Sequence, residues 1–142
     1  MTQENKNLIT NYPSAKFSWL KSGGNISQLY KVHNQIELNN LFIQNDIKTK
    51  SFLVIGNLSN TLIKDEGFKG IGIKLVGDFT DVQVNSDHML VGAAVLDNYL
   101  SKFCYQKSIT GYEFLFTIPG SIGGNIFMNA GCYNQEIKDK LI

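Results

Sequence analysis

The order of apolar and polar positions along this chain predicts short strands and two helices. Residues 1–16 are polar with one proline and read as a frayed lead-in, with a helical turn around Leu8 and Ile9. Phe17-Ser-Trp-Leu-Lys-Ser-Gly-Gly24 alternates apolar with polar and ends in a glycine pair, which predicts a short extended segment and a turn. Trp19, the single tryptophan, is expected in the core. Gln28 to Val32 reads as a strand leading to a helix from about Asn34 to Asp46. Asn34 is its N-cap, and Ile36, Leu38, Leu41 and Phe42 give an imperfect apolar stripe.

Ser51-Phe-Leu-Val-Ile55 is a compact apolar run that fits a buried strand. It feeds Gly56-Asn-Leu-Ser-Asn60, small polar residues that aim amides and hydroxyls at one spot. After a turn at Lys64–Phe68, Gly70 to Leu75 reads as another strand. Val82 and Val84 alternate with polar residues and pair with His88–Val91 across Asn85-Ser-Asp87. The clearest helix runs from about Val95 to Gln106, with Leu96, Tyr99, Leu100 and Phe103 at helical spacing. Two helices set against mixed or antiparallel strands make an α+β pattern, not strict strand–helix alternation.

Ile118-Pro-Gly-Ser-Ile-Gly-Gly-Asn-Ile-Phe-Met-Asn-Ala-Gly131 stands apart. It holds Gly120, Gly123, Gly124 and Gly131 out of thirteen glycines, and Pro119, one of two prolines. Glycine lets a ligand approach the backbone without meeting a Cβ, and proline stiffens the loop. Ile126-Phe127-Met128 would anchor such a loop to a core. The run reads either as a cradle of backbone N–H groups for an anionic cofactor or as a tight loop that only turns the chain.

Composition narrows the partners. At 142 residues and 43% apolar content the chain is long enough to form a real core. A net charge of +1 gives no reason to expect nucleic acid or a membrane surface as partner. No apolar run reaches membrane-spanning length, and the N-terminus lacks a signal-peptide core, so a reducing, cytoplasmic setting is expected. All thirteen cationic residues are lysines, so arginine clamps for carboxylate or phosphate are absent.

The other chemistry-bearing residues have plain explanations. The dinucleotide G-x-G-x-x-G and the P-loop pattern are both missing. His33 and His88 lack ligand-spaced neighbours and read as strand or surface histidines, so no metal is expected. Asp65-Glu66 reads as a solvated turn, and Cys104 as a small buried thiol. Cys132 comes directly after the glycine run and is assigned a packing role. Two candidate cradles remain, Gly56–Asn60 and Ile118–Gly131.

These residues carry a family resemblance. Val54–Asn60 together with Asp65-Glu-Gly-Phe-Lys-Gly70 resembles the Gly-x-Gly-Ser-Asn loop and Asp-x-Gly-Phe-x-Gly turn of UDP-N-acetylenolpyruvoylglucosamine reductases. Gly111-Tyr-Glu-Phe, Ile118–Gly124 and Met128-Asn-Ala-Gly131 resemble that family's second FAD loop, and Phe17–Gly24 its Thr-x-x-x-x-Gly-Gly segment with serine at position 18. The motifs match in order from about residue 17 onward.

The resemblance implies a vanillyl-alcohol-oxidase-type FAD-binding domain, C-terminally incomplete. A first FAD-binding subdomain would cover 17–75, and the start of a second 76–142, with the substrate domain absent. It implies an NADPH-dependent flavoenzyme that reduces the enolpyruvyl group on UDP-N-acetylglucosamine to give UDP-N-acetylmuramate for peptidoglycan. By resemblance, Gly56, Asn57, Leu58, Ser59 and Asn60 would line the FAD pyrophosphate. Gly92 and Ala93 would lie near the cofactor. Ile118, Pro119, Gly120, Ser121, Gly123 and Gly124, with Asn129, Ala130 and Gly131, would wrap the flavin and its phosphates.

Leu58 stands where the family loop has glycine, so a crowded pyrophosphate or a shifted backbone is expected there. The family's active-site arginine, serine proton donor and later glutamate are expected beyond Ile142, which leaves this chain inactive by itself. A UDP-sugar substrate is expected only in a longer form. The alternative reading is a non-catalytic remnant or interaction module that keeps the fold without FAD. An open sheet edge would then favour self-association.

Overall fold

The computed structural model describes residues 7–45 and 50–142, in two compact units, Met1–Gly77 and Asp78–Ile142. In the first unit, β1 (Leu8–Tyr12), β2 (Ile26–Val32), β3 (Phe52–Val54) and β4 (Phe68–Leu75) form one mixed sheet in the order β1-β2-β4-β3. β1 runs antiparallel to β2, while β2 and β3 both run parallel to β4. α2 (Gln35–Asn45) lies in the crossover between β2 and β3, which flank β4 on its two sides. The Asn34 side-chain oxygen accepts the Glu37 N–H at 2.9 Å, so the predicted N-cap is in place. The predicted helix end at Asp46 lies outside the described residues. Tyr12, Ile26, Leu29, Ile55 and Leu58 form the core of this unit.

The second unit holds the hairpin β5 (Val82–Val84) and β6 (Met89–Val91), the helix α3 (Asp97–Gln106), a short helix α4 (Ile122–Met128), and the two-residue strands β7 (Gly131–Cys132) and β8 (Gln135–Glu136). Leu100 and Cys104 of α3 pack with Val95, Phe114, Leu115, Ile122 and Ile137. The helix predicted over 95–106 is present, but the stripe is corrected: Leu96 and Tyr99 are exposed, Phe103 is partly buried, and the buried face is Asp97, Leu100, Ser101 and Cys104.

Further expectations are corrected. Leu8–Tyr12 is a strand, not a helical turn, because its partners lie on β2 about twenty residues away and leave no local sign. The segment at 17–24 begins in a short helix, α1 (Ser14–Phe17), and continues in turns instead of an extended run. Trp19 is 62% exposed rather than core. Ser51–Ile55 is an edge strand with Phe52 and Val54 exposed, and only Ile55 of the run is buried. Ile118–Gly131 is not simply a loop, since α4 occupies its centre. The Ile126-Phe127-Met128 anchor faces outward, and Phe127 is 88% exposed.

Candidate functional site

The loop at 56–60 hangs from β3, and the Ile55 N–H donates to the Ile73 carbonyl at 2.8 Å to fix its start. Leu58 adopts a left-handed φ of +50°, a conformation that costs an L-residue about 1–2 kcal/mol. Its side chain is 5% exposed and sits in the first unit's core, and its carbonyl accepts the Trp19 N–H at 3.2 Å. Leu58 thus occupies backbone of the kind a glycine would favour, and its side chain turns into the core. Gly56, Asn57 and Asn60 are exposed and Ser59 is half-buried. Lys74, which sequence reasoning passed over, sends its Nζ to the Gly56 carbonyl at 3.4 Å. Burial, and secondarily the neighbouring Lys31, lower its ammonium below the usual lysine value.

In the second unit the run at 118–131 is stitched to the segment at 92–97. Ile122 N–H donates to the Val95 carbonyl at 2.9 Å and Gly123 N–H to the Ala93 carbonyl at 2.8 Å, while Ser121 bridges Leu96. These two amides are therefore spent inside the protein, so the run is less of an N–H cradle than its composition predicts. A Cβ at Gly123 would stand 3.0 Å from the Cβ and the carbonyl of Ala93, and one at Gly92 would strike the Phe79 carbonyl. Gly124 differs. It is exposed, and a Cβ there would meet only the Ser121 Oγ, at 3.5 Å. Pro119 is exposed and Ile118 half-buried against the core.

Asn129 closes α4 with a left-handed φ of +47°. Its amide donates to Glu136 Oε2 at 3.0 Å and its side-chain oxygen accepts the Lys138 N–H at 3.3 Å, so its polar atoms hold β8 and the turn that begins at Ile137. Ala130 donates to the Asn125 carbonyl and accepts from Ile137, and Gly131 opens β7. The predicted residues of each loop thus fall together within their own unit.

Sequence reasoning also missed Asp97 and Asn125. Asp97 is fully buried at the first position of α3, and Asn125 is buried in α4. Neither Asp97 carboxylate oxygen nor the Asn125 Nδ2 has a hydrogen-bond partner. Burial raises the Asp97 pKa to about 7, opposed in part by the nearby Asn125 side chain and Gly120 backbone. From sequence, an aspartate in a helix's first turn reads as an ordinary macrodipole partner, which is why it gave no signal.

The histidines are structural. His33 N–H and Nδ1 both meet Glu37 Oε2, at 2.8 and 3.1 Å, and His88 lies between Asn85 and Asp87 in the β5–β6 turn. Asp65 and Glu66 are exposed in a turn. Cys104 is buried as expected, its thiol pushed up by burial and then by Glu113, whereas Cys132 is half-buried beside Thr117. Among the described residues no three His, Cys, Asp or Glu side chains sit together as a metal site, and no helix is long and apolar enough to cross a membrane.

Residues 23–142 match a family described as FAD binding domain. The chain is 39% identical over 131 residues to the UDP-N-acetylenolpyruvoylglucosamine reductase of Rickettsia felis, covering 92% of this chain and 44% of that protein. It is 37% identical to the same reductase of Rickettsia typhi over equal shares. The crystal structure of UDP-N-acetylenolpyruvylglucosamine reductase from Thermus caldophilus aligns with a TM-score of 0.77 and 29% identity, over 93% of this chain and 45% of that one. The chain spans less than half the length of these relatives.

Proposed function

The chain belongs to the FAD binding domain family, and on that premise we propose that it is the flavin-holding part of a reductase. That reductase acts on UDP-N-acetylglucosamine enolpyruvate with NADPH as reductant, in cytoplasmic peptidoglycan precursor synthesis. The observation that supports this reading is the backbone each glycine loop leaves uncovered within its own unit. Leu58 keeps its side chain in the core, and Gly124 leaves open the space where a Cβ would stand. FAD supplies the hydride chemistry when bound.

The chain's own residues bind and orient. Asn57, Ser59 and Asn60 present side-chain donors beside the Gly56 backbone, with Lys74 as the nearby cation. Gly92, Ala93 and Ile118–Gly124 form the second loop's base, with Asn129–Gly131 closing it. No arginine occurs in the 142 residues to clamp a carboxylate or diphosphate. These residues therefore hold flavin without turning over substrate.

The test is to add FAD, NADPH and the enolpyruvyl UDP-sugar to the purified chain. The expected result is retained flavin with no enolpyruvate-dependent NADPH oxidation, and turnover would overturn the reading of an inactive part.

A second reading, an interaction module that keeps the fold without flavin, is favoured by the exposed Ile126-Phe127-Met128 stripe. Self-association through the edge strand β3, with Phe52 and Val54 exposed, belongs to that reading. A chain that dimerises and ignores FAD would support it.

A further inference from the structure

We propose that Asp97 is a positioning residue for the glycine run. Its carboxyl group shares a closed space with the Asn125 amide over the α-carbon of Gly120 and holds the Gly120–Gly124 backbone in the shape that receives FAD. The inference rests on the flavin-holding reading of these loops. Asp97 and Asn125 are buried, 0% and 3% exposed, and come from different helices. A Cβ on Gly120 would stand 2.6 Å from Asp97 Oδ2 and 3.0 Å from Asn125 Oδ1, so both side chains converge on this one backbone position. The backbone ties the same place, since the Asp97 N–H donates to the Gly120 carbonyl at 3.3 Å.

The groups left without partners define the chemistry. A neutral carboxylic acid offers one donor and one acceptor, and a primary amide offers the complement. A small approach of the two side chains lets the acid O–H donate to Asn125 Oδ1 and Asn125 Nδ2 donate to the other carboxyl oxygen, an exchange that would satisfy all three unpartnered atoms. Ionisation removes the donor and leaves a buried charge. The groups that act on it are the Asn125 amide and the Gly120 backbone, and neither is charged.

Because the folded pKa lies near 7 against 3.8 for the free group, the native state keeps a proton that the unfolded chain releases. The stability contributed by the neutral form is complete below the unfolded value and declines as pH rises toward 7, after which it stays level. Affinity for FAD follows the same acid form, and falls as pH rises through about 7.

The test measures FAD affinity by flavin fluorescence, and thermal stability, at pH 6 and pH 8 for the wild type, Asp97→Asn and Asp97→Ala. Asparagine keeps the paired geometry without a titrating group, and every other ionisable group is common to the three chains. Wild type should bind several-fold tighter at pH 6. Asp97→Asn should bind equally at both, as wild type does at pH 6. Asp97→Ala, which strands Asn125, should bind about tenfold weaker or worse at both pH values. Unchanged pH dependence in Asp97→Asn, or wild-type affinity in Asp97→Ala, would overturn the proposal. If no chain binds FAD, the flavin-holding reading fails and the melts decide the rest. The wild-type midpoint should then drop from pH 6 to pH 8 while that of Asp97→Asn does not, and equal drops in both would reject the buried pair itself.

Discussion

At Leu58 the chain puts a leucine into left-handed backbone, whereas at Gly120 and Gly123 it puts glycine into backbone that makes no use of glycine's freedom in φ. The loop at 56–60 tolerates the leucine because its side chain has a core to enter, alongside Ile55 and Leu29. Burying a leucine is worth about 1.5–3 kcal/mol, which exceeds the backbone strain of about 1–2 kcal/mol. The run at 118–131 needs its glycines for close approach, because Asp97 and Ala93 press against the positions where a Cβ would stand. Only Gly124 is open on that side. Within one run, some glycines are therefore fixed by contacts inside the protein, and Gly124 is not.

The largest effect that would break this contrast is at Leu58. Leu58→Ala should destabilise the chain by about 2–4 kcal/mol in denaturant melts, the cost of a cavity under the loop. Leu58→Gly should be no worse than alanine, because the strain it relieves offsets the lost Cβ. A glycine variant well below alanine would mean that the left-handed backbone is not strained. Next, Gly120→Ala should cost about 1–3 kcal/mol and lower the melting temperature by roughly 5–10 °C through overpacking against Asp97 and Asn125.

Gly124→Ala sharpens the comparison by doing the opposite. In a helix with room for the methyl group it should leave stability unchanged or raise it by up to about 1 kcal/mol, while weakening FAD binding in a fluorescence titration. The smallest effect is expected at Lys74. Lys74→Ala should weaken FAD a few-fold and flatten the salt dependence of binding, since partly exposed charges are screened.

Local pattern made much of this legible. The β5–β6 hairpin, the extent of α3, the strand at 70–75 and the Asn34 cap all rest on short-range spacing that a sequence displays, whereas the face α3 buries does not. β1 rests on partners far along the chain. α4 forms in a segment whose two adjacent glycines disfavour a helix, and its start is held by the Val95 and Ala93 carbonyls. Trp19 and Phe127 read as core by residue type alone, yet both face outward. The glycine loops were legible as a candidate site because their motifs stand in order. Asp97 was not, since nothing near it in sequence says that an acid two residues after Val95 will be sealed beneath Gly120.

The most direct measurement is an equilibrium titration of the 142-residue chain with FAD, monitored by the change in flavin fluorescence. Saturable binding at one FAD per chain, weakened by Gly124→Ala with stability intact, is the expected result. No saturable response from a folded chain would contradict the assignment of these loops to flavin, and would leave the fold as an interaction module.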